Sequence, residues 1–249
     1  MNKTLIQTQF HKAQHTYEKN AMVQRVIATR LASMLPVEMR TNIHSILEIG
    51  CGTGFLTEQL IDRMPQRQMI LNDLMPESAS VAMLRTNHNN IDYVQADAEN
   101  TNFGASFDLI ASASTIQWFS NLEKFIHHCA RLLNNNGIIA FSSFLPGNLK
   151  EIKSLTGVGL SYTPATDLKK MIEKDFQILT FQEEKHILHF PSPYDVLRHL
   201  SRTGVNGITS FRWTNSKLQT FIEQYNLKYK DQQGVQLSYL PVYVLAKKK

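Results

Sequence analysis

The chain contains the stretch Ser45-Ile46-Leu47-Glu48-Ile49-Gly50-Cys51-Gly52-Thr53-Gly54, in which a short apolar run precedes three glycines at alternate positions. The apolar run predicts a buried strand, and the glycines predict a tight turn into a helix. Glycine suits such a turn because it allows positive φ and places no Cβ between the main chain and a ligand. The stretch therefore predicts a strand, a ligand-binding loop and a helix, although ordinary tight turns also carry such glycines.

The acidic residue before the glycines narrows the choice of ligand. The pattern Glu-x-Gly-x-Gly-x-Gly from Glu48 to Gly54 resembles the first motif of the class I methyltransferases, which use S-adenosylmethionine. In that family the carboxylate orients the loop, and the amino acid part of the cofactor lies over the glycines. A dinucleotide fold more often carries G-x-G-x-x-G, whose spacing suits a pyrophosphate at a helix N-terminus. The third glycine comes one residue early for that alternative.

Two further apolar runs end in an acid, Asp73 after Met69–Asn72 and Asp97 after Ile91–Ala96. In this class of fold, Asp73 is placed to accept both ribose hydroxyls and Asp97 to bind the exocyclic amine of adenine. Either residue alone is more readily explained as a solvated strand end than as a cofactor ligand. With Glu48, however, they are acids at the carboxyl ends of three consecutive predicted strands, where ligands of open α/β sheets bind. The set therefore indicates cofactor binding.

The following segments continue the alternation of strands and helices. Phe107–Ser112 is predicted as a fourth strand, and Leu122–Leu133 as a helix that stops at Asn134-Asn135-Asn136-Gly137. Ile138–Phe144 is predicted as a fifth strand, and Pro76 as the first turn of a helix. This alternation predicts an α/β fold, with a parallel sheet and helices on both faces.

Composition sets the broad class of protein. A chain of 249 residues buries a large fraction of its surface and is expected to form one domain with insertions. No apolar run reaches the roughly 18 residues of a membrane span, and the first residues lack the apolar core of a signal peptide. Two cysteines, Cys51 and Cys129, indicate neither a disulfide framework nor a metal site, and Cys51 is expected only to fill space in its loop. We therefore expect a cytoplasmic protein without a bound metal or a membrane partner.

Charge is distributed unevenly along the chain. The formal net charge is +5, and residues 185–230 alone contain seven Lys or Arg against two Asp or Glu, which also leaves +5. Such a segment is either a solvated surface or a patch for an acidic partner. No basic groove interleaved with aromatic residues accompanies it, so nucleic acid is not expected as the partner.

Several local patterns together resemble the malonyl-acyl-carrier-protein O-methyltransferases of biotin synthesis. Beyond the glycine loop they are Phe10-x-x-Ala13-x-x-x-Tyr17-x-x-x-Ala21-x-x-Gln24, Ile116-Gln117-Trp118, Ser142-Ser143-Phe144-x-x-Gly147-x-Leu149-x-Glu151, Leu197-Arg198-x-Leu200-x-x-Thr203-Gly204-Val205-Asn206 and Leu237-Ser238-Tyr239, followed by the strand Val242–Ala246. The resemblance covers nearly the whole chain. The chain departs from the family pattern at Asn72, where an apolar residue is commoner, and at Asn134-Asn135-Asn136-Gly137, where a Lys/Arg-Pro-Gly-Gly turn is usual.

The resemblance implies a single domain with a class I, Rossmann-like sheet of about seven strands, the last of them antiparallel. It implies N-terminal lid helices in residues 1–35, a cofactor-binding core in residues 43–145, and an inserted helical cap in residues 146–173 and 192–226. It further implies the use of S-adenosylmethionine to methylate the free carboxylate of malonyl-acyl carrier protein, an acidic protein partner. We expect the chain to be a monomer.

The resemblance also assigns residues to the site. The cofactor is expected to contact Glu48, Gly50, Cys51, Gly52, Gly54, Asp73, Leu74, Asp97, Ala98 and Ser112. Tyr17 is expected to close the acceptor pocket, with Gln117 and Trp118 beside the methyl group. A carboxylate acceptor is already ionised at neutral pH and needs no general base, but it needs a group to hold it. Arg198, with Arg202 as the second candidate, suits this task because the planar guanidinium binds one carboxylate edge.

Each of these substrate residues also has an ordinary structural explanation: a surface salt bridge for the arginines and core packing for Tyr17 and Trp118. Two other functions remain compatible with the sequence. One is an S-adenosylmethionine-dependent methyltransferase for another small carboxylate or a phenol. The other is a catalytically silent protein that binds the cofactor and assists a different enzyme.

Overall fold

The main sheet is an open α/β sheet of seven strands. The computed structural model describes residues 3–76, 78, 90–204 and 211–249. The strands of this sheet are β1 (Ser45–Ile49), β2 (Gln68–Asp73), β3 (Ile91–Gln95), β4 (Phe107–Ser112), β5 (Leu133–Phe144), β6 (Phe176–Glu183) and β10 (Pro241–Lys248). Their order is β3-β2-β1-β4-β5-β10-β6. Strands β1 to β5 pair in parallel, and β10 is antiparallel to both β5 and β6, so the prediction of seven strands with the last antiparallel is confirmed.

The described helices are α1 (Lys3–Asn20), α2 (Met22–Ser33), α3 (Val37–Arg40), α4 (Phe55–Arg63), α5 (Leu122–Leu132), α6 (Lys150–Thr156), α7 (Ala165–Ile172), α8 (Pro193–Arg202) and α9 (Asn215–Tyr229). A second, antiparallel sheet of three strands has the order β7-β9-β8, with β7 at His186–Phe190, β8 at Lys230–Asp231 and β9 at Gly234–Tyr239. The sequence patterns did not predict this small sheet. Among the described helices, none combines the length and apolar character that crossing a membrane requires.

Alternating residues of the central strands are buried on opposite faces of the main sheet. Ile46 and Leu109 pack with helices α2 and α4 in one core cluster, whereas Leu47 and Ile110 pack with α5 and α7 in a second. This division follows from the two-residue period of a strand, which sends successive side chains to opposite faces. Both faces are thus covered, as the continuous apolar runs of these strands require.

The strand order reverses between β1 and β4, which are neighbours although β2 and β3 lie between them in the chain. In an open parallel sheet, ligands bind in the crevice outside the carboxyl ends at such a reversal. The glycine loop follows β1 directly, so the fold places it in this crevice.

Two boundaries differ from the sequence prediction. Helix α5 ends at Leu132, and β5 starts at Leu133 instead of Ile138, so the predicted polar stop lies within the strand. Leu133 pairs with Phe107, and the register shifts before Ile138 pairs with Leu109. The Asn134 amide donates to Asp108 Oδ1 at 2.7 Å, which ties the irregular segment to β4.

The predicted cap segments divide between the small sheet and the main sheet. Helices α8 and α9 pack with β7 and β9, and α6 packs with α9 and β9. Helix α7 instead packs on α5 and β6, where Leu168 and Ile172 are buried in the second core cluster. The family-like residues Val205 and Asn206 lie outside the described residues, as do residues 77 and 79–89 after Pro76, where the first turn of a helix is predicted.

Candidate active site

A cavity of about 190 Å³ lies at the carboxyl ends of the parallel strands. Its walls come from the glycine loop, the ends of β2, β3, β4 and β5, helix α1 and the loop before α7. Most of the predicted cofactor residues line it: Glu48, Gly50, Cys51, Gly52, Asp73, Leu74, Asp97 and Ala98. Tyr17, Gln117 and Trp118 line it as well.

The glycine loop is held in a conformation that few other residues could adopt. Gly50 and Gly52 have φ of 68° and 54°, in the left-handed region. A Cβ on Gly50 would overlap the side chain of Thr115, whereas a Cβ on Gly52 would meet no described atom within 4 Å. Gly50 is therefore required for packing, and Gly52 leaves the main chain bare on the cavity side. Gly54, with φ of 84°, precedes α4 and does not line the cavity.

Asp73 supports the loop. Its Oδ2 accepts from the Gly52 N–H at 2.8 Å, and its Oδ1 accepts from the Met75 N–H at 2.9 Å. A carboxylate oxygen has more than one lone pair, so these bonds leave acceptor capacity towards the cavity. Asp73 therefore fixes the loop at the cavity wall, where the ribose contact is predicted.

Asn72, a departure from the family pattern, ties two strand ends together. Its side chain is buried, and its amide donates to Val94 O and to Ala96 O, each at 2.9 Å. Ala96 immediately precedes Asp97. Asn72 thus positions the end of β3, and Asn72 itself lines the cavity.

Glu48 is a buried acid with an unused oxygen. It is 1 % exposed, and burial raises its pKa from the ordinary value to about 8. Within the described chain, several residues that line the cavity carry a buried oxygen atom without a hydrogen-bond partner. They include Glu48 Oε2, Gln24 Oε1, Ser114 Oγ and Gln117 Oε1. Such buried acceptors are costly unless a ligand satisfies them. The set fits a ligand that brings several N–H or O–H donors, as the ammonium and ribose of S-adenosylmethionine do.

Helix α1 covers the part of the cavity beside Asp97. Lys3 forms ion pairs with Asp97 and Glu99, and Gln7 Nε2 donates to Leu74 O at 3.2 Å. Glu99 Oε1 in turn accepts the backbone N–H groups of Ser120 and Asn121 at 2.7 and 2.9 Å. The start of α1 is therefore attached to the region predicted to bind adenine.

Aromatic side chains continue this cover. The ring of Phe10 lies 5.9 Å from Trp118 and 6.3 Å from Tyr17, both edge to face. Tyr17 stacks on Phe55 with ring centroids 6.2 Å apart. Burial and the charge of Asp73 raise the Tyr17 pKa, so its hydroxyl stays protonated at neutral pH. Gln117 Nε2 donates to Ser114 O at 2.6 Å, which orients its amide beside the cavity.

The structure does not bring the predicted arginines to the cavity. Arg198 donates to Asp195 Oδ1 at 3.0 Å, its side chain is 57 % exposed, and Arg202 is also exposed. Val196, His199 and Leu200 occupy the buried face of α8, so Arg198 and Arg202 are left on the opposite face. In this conformation the expected arginine clamp on the acceptor is therefore not assembled.

Ser112 is also placed away from the cavity. It is buried, and its hydroxyl donates to Ile49 O at 2.9 Å, so it joins β4 to the end of β1. Among the cavity-lining residues that sequence patterns missed are Asn148, Leu160 and Tyr162. Asn148 occupies an unspecified position of the family-like stretch from Ser142 to Glu151, and Leu160 and Tyr162 follow it in a segment without a recognisable motif. Over the described residues, no cluster of His, Cys, Asp and Glu suits a metal ion.

Comparisons with known proteins identify the class of this fold and its cofactor. A family model described as "Methyltransferase domain" matches residues 47–141. The N-methyltransferase NodS of Bradyrhizobium japonicum, solved in complex with S-adenosyl-L-homocysteine, aligns with a TM-score of 0.52 at 14 % identity. The alignment covers 94 % of this chain and 98 % of that chain. Fold and site thus define a class I methyltransferase that uses S-adenosylmethionine.

Relatives of similar length define the family. The malonyl-[acyl-carrier protein] O-methyltransferase of Bacteroides thetaiotaomicron is 37 % identical over 259 residues, covering 100 % of this chain and 99 % of its own. The protein of the same name from Porphyromonas gingivalis is 37 % identical over 250 residues, covering 99 % of this chain and 96 % of its own. The chain belongs to the malonyl-[acyl-carrier protein] O-methyltransferase family.

Proposed function

We propose that this chain transfers the methyl group of S-adenosylmethionine to the free carboxylate of a malonyl thioester carried by acyl carrier protein. The observation that carries this proposal is the 37 % identity over the full length. The matched methyltransferase domain ends at residue 141, whereas Asn148, Tyr162 and Tyr239 line the cavity beyond it. The identity therefore also covers the cavity-lining residues that the methyltransferase family model does not match.

The reaction needs no general base, because a malonyl carboxylate is ionised at neutral pH. The cavity agrees with this requirement. Burial raises the pKa of Tyr17, Tyr162 and Tyr239, so these phenols are hydrogen-bond donors and not bases at neutral pH. The protein has to hold the acceptor in a fixed position and exclude water.

When bound, the cofactor supplies a methyl group activated by a positively charged sulfur. The protein residues that would hold it are Glu48 and Gln24, with unpaired buried oxygens, and Asp73 and Asp97 at the strand ends. Phe10 and Tyr17 on α1 cover the cavity and exclude water during the transfer.

The methyl ester would give fatty acid elongation enzymes a starter without a terminal charge, which their apolar pockets would otherwise reject. We therefore place the product at the start of pimeloyl assembly for biotin, as the family resemblance implies. The cytoplasmic location, the monomeric state and the absence of a nucleic acid partner stay predictions.

The proposal is tested by incubating the chain with S-adenosylmethionine and malonyl-acyl carrier protein and measuring the carrier by mass spectrometry. We expect a gain of one methyl group on the malonyl carrier, and none on the acetyl carrier, which lacks the free carboxylate. Methylation of a phenol or another small carboxylate in place of the malonyl carrier would favour the alternative acceptor. Cofactor binding without turnover on any acceptor would favour the silent partner protein.

A further inference from the structure

The cavity has a second end that the cofactor residues do not occupy. Asp97 follows β3, whereas Phe144 ends β5, and four strand spacings of about 4.8 Å separate these strands in the sheet. The Phe144 ring lies 6.2 Å from the ring of Tyr162 and 6.2 Å from the ring of Tyr239. These three rings line the cavity, as do Asn148, whose amide donates to the Tyr162 oxygen, and Leu160, two residues before Tyr162.

We infer that Tyr162 and Tyr239 are the hydrogen-bond donors that bind the acceptor carboxylate, and that Asn148 and His199 are positioning residues that direct the two hydroxyl protons into the cavity. This inference rests on the proposed function and names the acceptor-binding part of the same site. Two neutral phenols thus take the role that the sequence patterns suggested for an arginine.

The Asn148 amide sets the direction of the Tyr162 hydroxyl. Its Oδ1 accepts from the Leu240 N–H at 3.0 Å, so its Nδ2 faces Tyr162 and donates to the Tyr162 oxygen at 2.8 Å. Asn148 is 3 % exposed, and both bonds join it to residues distant in the chain, which holds the amide in place. Because the Tyr162 oxygen accepts from Asn148, its own O–H remains to donate elsewhere.

His199 has the same relation to Tyr239. His199 Nε2 lies 2.9 Å from the Tyr239 hydroxyl, and both residues are buried. Burial lowers the His199 pKa to about 4, so its ring is neutral and carries one N–H at neutral pH. When that N–H is on Nε2, the Tyr239 oxygen accepts from it and the Tyr239 proton remains for the acceptor.

The scarcity of Lys and Arg among the described residues that line the cavity favours neutral hydrogen-bond donors at the end beside β5. Of the residues that line the cavity, Lys3 is the only Lys or Arg in the described chain, and it is paired with Asp97 and Glu99. A guanidinium would neutralise much of the charge that makes a carboxylate nucleophilic. Phenol donors hold the carboxylate without supplying a full opposite charge, and burial keeps these phenols protonated.

The same pair favours release of the product. A hydrogen bond to a carboxylate is roughly twice as strong as one to a neutral oxygen. Methylation removes the charge, so both contacts weaken when the ester forms. The donors therefore distinguish the substrate from the product at the group that reacts.

The test compares KM and kcat for malonyl-acyl carrier protein in Tyr162→Phe and Tyr239→Phe. Each variant loses one donor to a charged group, so we expect KM to rise about tenfold to hundredfold, with kcat within about threefold. Affinity for S-adenosylhomocysteine, measured by calorimetry, should not change. Tyr225→Phe is the matched control, because Tyr225 is buried and donates to Gln236 O at 2.7 Å but does not line the cavity.

The positioning residues are tested by exchange of donor and acceptor. Asn148→Asp keeps the acceptor for the Leu240 N–H but removes the donor to Tyr162, so the Tyr162 proton should turn to the new carboxylate and KM should rise as in Tyr162→Phe. His199→Gln keeps an N–H donor and should restore most of the affinity that His199→Leu loses. A purely structural role would instead lower the melting temperature in both His199 variants without this difference in KM.

Three outcomes separate the inference from the function on which it rests. If the wild-type chain methylates the malonyl carrier but both Tyr→Phe variants keep its KM, the assignment of Tyr162 and Tyr239 as the donors to the acceptor carboxylate is wrong. If Arg198→Ala raises KM for a small malonyl thioester as much as the Tyr→Phe variants were expected to, the clamp is the arginine. If the wild-type chain neither binds nor methylates the malonyl carrier, the proposed function is wrong and the inference falls with it.

Discussion

At the scale of single residues, Glu48 couples cofactor binding to pH. Its carboxyl group has a pKa of about 8, so the free protein holds a proton there at pH 7. Pairing with the cofactor ammonium requires the ionised form, so binding should release that proton. We expect affinity for S-adenosylmethionine to rise by up to about tenfold per pH unit between pH 6 and 8, and to level off above pH 8.

Calorimetry at pH 7 in buffers of different ionisation enthalpy measures the proton released. Glu48→Gln should remove the release and weaken binding, whereas the wild type should release close to one proton. The same shift predicts that the free protein loses stability as pH rises from about 4.5 to about 8, because the folded state holds this proton more tightly than the unfolded state. A binding enthalpy that does not depend on the buffer would contradict the assignment.

Asn72 is a buried polar residue at a position where the family pattern more often has an apolar one. Asn72→Leu removes both amide bonds to Val94 O and Ala96 O, so we expect the free energy of unfolding to fall by about 2 kcal/mol. Affinity for the cofactor should fall as well, since the end of β3 carries Asp97. The exposed Asn135→Leu serves as the control in chemical denaturation. Equal stability of the two variants would show that Asn72 only fills space.

At the scale of elements, polar contacts in the first two turns of α1 attach the helix to the cofactor side of the cavity. Lys3 pairs with Asp97 and Glu99, while Gln7 donates to Leu74 O. We expect Lys3→Met to raise the dissociation rate of S-adenosylhomocysteine several-fold, because the ion pairs that hold the lid are lost. Stopped-flow fluorescence of Trp118, which packs on Phe10 of the same helix, reports the rate.

Lys12→Met is the matched control, since Lys12 is exposed on the same helix and does not line the cavity. The effect of Lys3→Met should also shrink at high salt, where the wild-type ion pairs are screened. An unchanged dissociation rate would mean that α1 stays closed without Lys3 and that its aromatic contacts hold it.

Helix α8 shows what helical periodicity in the sequence can and cannot predict. Helical spacing correctly separates two faces of α8, but it does not say which face meets the cavity. The inward face carries Val196, His199 and Leu200, and its polar member reaches Tyr239. A charged residue in the sequence is easily taken for the binding group, while a buried histidine that acts through a tyrosine has no local signature.

At the scale of the whole molecule, local sequence patterns were enough to predict the main sheet and most of the cavity residues on the cofactor side. Glu48, Gly50 and Asp73 lie next to strands whose apolar runs are readable, and the parallel order brings their ends together. The acceptor side depends on distant pairs such as Asn148 with Tyr162 and His199 with Tyr239. Such pairs form only when the small sheet and the loop before α7 close over β5, which no single segment encodes.

The surface around the acceptor end carries its own positive charge. Lys150 and Lys153 are exposed on α6, and Lys153 Nζ donates to Leu160 O at 3.3 Å, beside the cavity wall. An acidic carrier protein that delivers its thioester to this end would meet α6. The basic segment 185–230, with Arg212 and Lys217, is the other candidate for this contact.

We expect Lys153→Glu to raise KM for malonyl-acyl carrier protein more than Lys217→Glu does, with an effect that weakens as salt increases. KM for a small malonyl thioester should not change, because that substrate has no acidic surface to steer. Lys170→Glu changes the charge equally on α7, which packs against the sheet, and serves as the control. A larger effect in Lys217→Glu would assign the carrier contact to the basic segment 185–230. Equal effects in all three variants would mean that only the net charge of the protein attracts the carrier.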